Sequence, residues 1–260
     1  MIELKTPGEI DALAQAGAVV ARALAEVRRH AAIGVSLREL DEAAAGVIAE
    51  AGAKPAFLHY HPHFAPRPFP GVICASVNDA IVHGIPGDSR LADGDLVSID
   101  CGAFVDGWCG DSAITFTVGR SRRADVELSQ ATYAAMDAGI AASVPGNRLG
   151  DIGHAIAAVG RGRGYGMMED YGGHGVGRSM HEDPHVANEG IAGRGLRIRP
   201  GLVIAIEPMF IAGGDDRYRT DADGWTLRSV DGSRAAHWEH TIAVTDDGPR
   251  ILTVDAGHSG

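Results

Sequence analysis

Ile10, Leu13, Ala14, Val20, Leu24 and Val27 recur at helical spacing near the start of the chain, with Gly17 in the same stripe as a small contact position. Ahead of them, Thr6-Pro7-Gly8-Glu9 supplies an N-cap, a proline at the first helical position and a capping-box glutamate, so a helix is predicted to begin there. Ser36-Leu37-Arg38-Glu39 opens a second helix, with Leu37, Leu40, Ala44 and Val47 on one face and an end near Gly52. A Pro- and His-rich loop follows from Tyr60 to Gly71. The pattern then turns strand-like in ICASV, LVSID and FVDGWCGDSAITFTV, the last with Asp106-Gly107 as a two-residue hairpin turn. Helical spacing returns over about 125–143 and, after a turn at Pro145-Gly146, from Leu149 to about Val159. Glycine-rich loops lead to the strand LVIAIEPMF, a hairpin turn at Asp231-Gly232 and the strand HWEHTIAV.

The two halves repeat one order of elements. At an offset of 112, Gly34, Leu37, Leu40, Val47 and Gly52 fall on Gly146, Leu149, Ile152, Val159 and Gly164. LVSID has its counterpart in VIAIE, which sets Asp100 against Glu207, and GDSAITF has one in WEHTIAV, which sets Asp111 against Glu239. The expected fold is therefore α/β (α+β), made of two pseudo-symmetric helix-helix-strand-hairpin halves with antiparallel sheets. We expect one catalytic domain over 1–260, its halves spanning about 1–120 and 121–255.

Composition narrows the classes without choosing among them. Apolar residues at 45 % and charged residues at 22 % describe an ordinary globular chain of 260 residues. A net charge of -11, with no basic run longer than a pair such as Arg28-Arg29, argues against nucleic-acid partners and against adhesion to an anionic membrane. Cys74, Cys101 and Cys109 are odd in number and lack CxxC spacing, and the N-terminus carries no signal-peptide pattern, so a cytoplasmic location is expected.

Chemistry enters with the acids. If Asp106-Gly107 is the hairpin turn, Gly102 lies opposite Asp111 and Asp100 sits two residues further along, so the two residues share a face roughly 7 to 8 Å apart at the backbone, with both carboxylates able to reach one ion. Two acids on an apolar hairpin repel, and LVSIDCGAFVDGWCGDSAITFTV has no arginine or lysine to compensate, which points to a bound cation. Glu207 and Glu239 add two charges, and four charges match two divalent ions. The stretch GGHGVGRSMHEDPHV offers His174 as an imidazole ligand, its glycines expected where backbone must come close to a ligand. Mixed oxygen and nitrogen donors suit Mn, Fe, Co or Zn more than Mg or Ca.

VNDAIVHGIPGD, SIDCGAFVDGWCGD, GGHGVGRSMHEDP, IAIEPM and WEHTIAVT, in this order, resemble the type I methionine aminopeptidases, metallopeptidases of the pita-bread fold, from the first helix to about Val254. The resemblance implies that Asp100, Asp111, His174, Glu207 and Glu239 hold two divalent metal ions, Asp111 and Glu239 bridging them. His83 and His181 match two histidines that contact substrate at its scissile amide, and Glu207 matches the proton shuttle. His185 and His240 have no counterpart and are read as structural or solvent-exposed. Cys74, Tyr60, Phe69 and Trp225 match the pocket for the methionine side chain; Met180 stands where an aromatic residue is usual. The loop from Tyr60 to Cys74, with His61, His63 and Phe64, is longer than in the shortest relatives.

The implied activity is removal of initiator methionine from nascent chains with a small second residue, by attack of a metal-activated hydroxide on the first peptide bond. Nascent polypeptide N-termini, met at the ribosome, are the implied partners, and a monomer the implied state. Only 25 residues separate His181 from Glu207, too few for the insertion of type II enzymes, as expected for the minimal bacterial form. Two rivals follow from the same residues. An Xaa-Pro peptidase of this fold usually carries a further N-terminal domain, and a catalytically silent peptide-binding relative typically loses ligands that are all present here.

Overall fold

The structure, a computed structural model, describes residues 2–63 and 65–255; Phe64 lies outside the described residues. Helices α1 (Pro7–His30) and α2 (Leu37–Glu50) are followed by strands β1 (Lys54–Pro55), β2 (Ile73–Val77), β3 (Ala80–Val82), β4 (Leu96–Val105) and β5 (Trp108–Thr117). Helices α3 (Arg123–Ala142) and α4 (Leu149–Gly162) precede β6 (Gly172–Gly175), β7 (Glu182–Ala187), β8 (Val203–Ile206), β9 (Met209–Ile211) and β10 (Tyr218–Thr220). Strands β11 (Leu227–Ser229), β12 (Ala235–His237), β13 (Glu239–Thr245) and β14 (Gly248–Ile251) complete the order.

Both predicted capping boxes form: Thr6 accepts from the Glu9 amide while the Glu9 carboxylate accepts from the Thr6 amide, and Ser36 and Glu39 repeat the exchange. Each satisfies two amides that a helix start would otherwise leave unpaired. The stripe on α1 is buried as read, Leu13, Val20 and Val27 having no exposure.

A nine-stranded sheet runs β1-β4-β5-β13-β8-β6-β7, with β14 added to β13 and β2 to β4, and every ladder is antiparallel. The β4–β5 hairpin has the predicted register, Gly102 opposite Asp111 and Val105 opposite Trp108. Its turn, Asp106 (φ 49°) and Gly107 (φ 77°), has both central residues left-handed, which suits the twist of the two strands. One half-sheet joins the other where β5 meets β13. Between α1 and β5 the backbones nearly touch: a Cβ on Gly110 would lie 2.6 Å from the Gly17 nitrogen. Gly110→Ala is therefore expected to push α1 off the strand and cost about 1–3 kcal/mol, read as a lowered Tm in thermal denaturation. An unchanged Tm would show that the helix yields freely.

Two expectations are corrected. The Asp231-Gly232 turn exists, but the strands on either side do not pair with each other; β11 joins β10 and β3, while β12 joins β9. LVIAIEPMF and HWEHTIAV are each broken in two, at Glu207-Pro208 and at Trp238. Pro208 cannot donate to a ladder, and the breaks lie side by side, since β8 pairs β13 and β9 pairs β12.

Candidate metal centre

Sheet register collects the acids. Ala113 on β5 is flanked by Asp100 on β4 and by Glu239 on β13, and Asp111 lies two residues along β5, so all three carboxylates leave the same face. Glu207 directly follows Ile206, the β8 partner of His240, which places it beside Glu239 at the double break. Hydroxyls stitch these strands: Thr241 donates to the Asp111 carbonyl at 2.7 Å, Ser112 to the Glu239 carbonyl at 2.6 Å and Thr115 to the His237 carbonyl at 2.6 Å. Asn188 donates to the Glu207 carbonyl at 3.0 Å.

His174 arrives on β6, whose other three residues are glycines. The sequence reading has these glycines admitting backbone to a ligand; the structure gives them another reason. Cβ atoms at Gly172, Gly173 and Gly175 would lie 2.6, 2.0 and 2.2 Å from carbonyl oxygens of Val186, Ala205 and Asp183, so neighbouring strands exclude any side chain there. His174 Nδ1 lies 2.9 Å from the Gly175 carbonyl, which can only accept. The proton therefore sits on Nδ1, and the Nε2 lone pair faces Glu207 Oε1 at 3.5 Å and Asp111 Oδ2 at 3.8 Å.

The donor set fits divalent metal. Ligating atoms of Asp111, His174 and Glu239 lie within 4.8 Å of one another, as do those of Glu207, His237 and Glu239. Asp100 Oδ1, Asp111 Oδ1, Glu239 Oε1 and His237 Nε2 are buried without a hydrogen-bond partner among the described residues. Among those residues no lysine or arginine pairs with the four carboxylates; their ion-pair neighbours are His174 and His237. Burial first, and mutual repulsion next, pushes Asp111 and Glu239 well above the carboxylate range. Burial lifts Asp100 to about 7 and Glu207 to about 8. Acids in that condition need a cation or a proton, and a divalent ion satisfies several at once. Burial lowers His174 to about 3, which leaves it neutral and able to ligate.

A cavity of about 360 Å³ opens onto these acids. His83 and His181 line it with Tyr60, Phe69, Cys74, Met180 and Trp225, so the structure brings every candidate site residue to one place. Phe69 and Trp225 pack edge to face at 5.1 Å, and Cys74 and Met180 are buried beside them. His181, more exposed, has its ring centre 4.1 Å from that of His174, the two planes tilted by 47°. His185, without a counterpart in the sequence reading, is exposed and also lines the cavity, being paired with His174 across β6–β7. His240 is part-buried, its Nδ1 bonded to Thr253 Oγ1 at 2.7 Å.

Sequence reasoning passed over Phe57, Tyr171 and Met209 in the cavity wall and, most consequentially, His237. This residue is 2 % exposed, with Nε2 3.5 Å from Glu207 Oε2. Its signal was its place two residues before Glu239, which in a strand shares a face.

A curled antiparallel sheet with carboxylates and one imidazole on its inner face defines a class of metal-dependent hydrolase, and the sequence pattern of metallopeptidase family M24 matches residues 11–246. Methionine aminopeptidase 1 of Mycobacterium tuberculosis (strain CDC 1551 / Oshkosh) is 54 % identical over 261 residues, covering 98 % of this chain and 96 % of that protein. Methionine aminopeptidase 1 of Bacillus subtilis (strain 168) is 44 % identical over 254 residues, covering 97 % and 99 %. The crystal structure of methionine aminopeptidase from Thermotoga maritima superposes with a TM-score of 0.93 at 40 % identity, covering 98 % of this chain and all of that one. The chain belongs to the methionine aminopeptidases of family M24. The prolidase from Pyrococcus horikoshii shares the fold at TM-score 0.76 and 23 % identity, this chain covering 63 % of its length.

Proposed function

We propose that this chain removes the initiator methionine from nascent polypeptides with a small second residue, using two divalent ions held by Asp100, Asp111, His174, Glu207 and Glu239. The observation that carries this reading is the convergence of four buried carboxylates and a neutral imidazole on the floor of a largely apolar cavity. When bound, such ions supply an activated water near neutral pH and an electrophilic anchor for the substrate.

The chain's own residues do the rest. Tyr60, Phe69, Cys74, Met180 and Trp225 give the methionine side chain an apolar wall, and the unbranched Met180 adapts to a thioether as an aromatic ring would not. His181 donates a hydrogen bond to the scissile carbonyl as negative charge develops, and His83 contacts the amide nitrogen. Glu207 carries a proton from the attacking water to the leaving amine, its carboxylate lying at the cavity floor. No helix among the described residues is long and apolar enough to cross a membrane.

The deciding experiment is free methionine release from Met-Ala-Ser, Leu-Ala-Ser and a Met-Pro peptide after chelation and readdition of Mn, Fe, Co or Zn. Metal-dependent release from Met-Ala-Ser, with at least tenfold less cleavage of Leu-Ala-Ser, is expected, a margin on the order of what one apolar pocket contributes. Equal cleavage of Leu-Ala-Ser would remove the methionine pocket, and two bound ions with no cleavage of any peptide would remove the peptidase reading.

A further inference from the structure

The chain has two lysines, and one of them is buried. The Lys5 side chain is 1 % exposed, with Nζ 2.9 Å from Glu3 Oε2 and 3.0 Å from Glu182 Oε2, and 5.9 Å from the centre of the Trp108 ring. Its amide is bonded to the Gly201 carbonyl at 2.7 Å, which fixes the backbone from which the side chain extends. Immobilising a long side chain and desolvating its charge is costly, so the pairing with Glu182 invites a reason.

Glu182 is the first residue of β7 and directly follows His181. Its other carboxylate oxygen, Oε1, accepts from the Ser179 amide at 3.1 Å, so one side chain closes the loop that carries His181. Two further pins hold that loop: the Gly177 carbonyl accepts from the Cys109 amide at 2.9 Å, and Arg178 stacks 3.8 Å over Trp108 while donating to the Asp106 carbonyl. The Arg178 and Cys109 pins fasten the start of the loop to the β4–β5 hairpin. The Glu182 side chain, held by Lys5, fastens its end beside the Gly175–Glu182 step of the β6–β7 ladder, next to the His181 imidazole, which also packs against Tyr60 at 5.5 Å.

We propose that Lys5 is a positioning residue for His181: it neutralises and anchors Glu182, which holds the 177–182 loop so that the His181 ring lies against His174 in the cavity wall. The inference rests on the catalytic reading of His181 given above. With Lys5 replaced by an uncharged residue, Glu182 faces Glu3 without the cation between them, the bond to the Ser179 amide loosens, and His181 loses its fixed approach. Displacement of a catalytic group by about 1 Å is enough to cost on the order of 100-fold.

The test is a double-mutant cycle on the metal-loaded enzyme with Met-Ala-Ser as substrate. Lys5→Met is expected to lower kcat/KM about 10- to 100-fold, with metal content unchanged. In the His181→Ala background the same substitution is expected to cost less than about threefold, because the group it positions is gone. A purely structural Lys5 would lower the Tm and the rate alike in both backgrounds. Equal losses in the two backgrounds, or a Lys5→Met enzyme within twofold of the parent, would overturn the proposal. Full turnover in His181→Ala alone would instead overturn the catalytic reading of His181. If Lys5→Met does not fold, Glu182→Gln runs the same cycle, keeping the shape of the side chain and an acceptor for Ser179 while releasing Lys5, with the same background-dependent loss expected.

Discussion

Asp111→Asn is expected to strip the protein of metal and lower methionine release by roughly 10²–10⁴-fold, the range that several kcal/mol of metal-derived transition-state stabilisation represents. Asp111 is 3 % exposed and shares its face with Asp100 and Glu239, so an amide there removes a full charge from the ligand set without changing its shape. Stability should move in opposite directions with and without metal. The Asp111 carboxyl is held well above its ordinary 3.8, chiefly by burial and then by the Asp100 and Glu207 charges. A group with a raised folded pKa binds more protons folded than unfolded, so its cost is absent below pH 3.8 and grows as pH rises past that value. Metal-free Asp111→Asn escapes that cost and should melt at a higher temperature than the metal-free parent at pH 7.5, the difference closing toward pH 4. With metal added the order should reverse, because only the parent gains the binding free energy. Differential scanning calorimetry beside metal analysis reads all of this; a variant that keeps both ions and its activity would sink the dinuclear reading.

Much of this arrangement is legible in the sequence because its causes are local. Thr6 and Glu9 cap a helix by their own spacing, and Asp106-Gly107 sets a two-residue turn whose register follows by counting. From that count alone, Asp100 and Asp111 fall on one face, and the absence of lysine and arginine from the hairpin signals a cation. What escaped the sequence depends on contacts distant along the chain. The glycines of β6 look like loop glycines until the carbonyls of Val186, Ala205 and Asp183 are seen pressing on them. The breaks at Pro208 and Trp238 require knowing that β8 and β13 change partners together. His237 reads as an ordinary strand residue until its Nε2 is found 3.5 Å from Glu207, and nothing in the local sequence around Lys5 signals Glu182, 177 residues further along the chain. The contribution of the family resemblance lay elsewhere, in roles such as those of His83 and His181, which no spacing within the chain could assign.

His83→Ala is expected to lower kcat/KM by roughly 10²–10³-fold while leaving metal content unchanged, the usual cost of losing one preorganised polar contact at the reacting centre. His83 follows β3 with φ 59°, a left-handed conformation that a β-carbon makes unfavourable. Its ring packs edge to face against Tyr171 at 5.9 Å and Trp225 at 6.2 Å, inside the cavity wall. Glycine would occupy this backbone more comfortably, so His83→Gly should fold at least as stably in its backbone and lose activity as badly as His83→Ala. That separation distinguishes a histidine kept for chemistry from one kept for packing. The pH profile sharpens the test. Burial lowers the His83 pKa to about 4, with the neighbouring His237 and His181 adding to the effect, and nearby metal cations would lower it further. His83 is therefore neutral from pH 5.5 upward, and removing it should reduce kcat/KM by one constant factor between pH 5.5 and 8.5. A factor that grew or shrank across that range would mean that His83 acts by gaining and losing a proton; turnover within threefold of the parent would take it out of the reaction altogether.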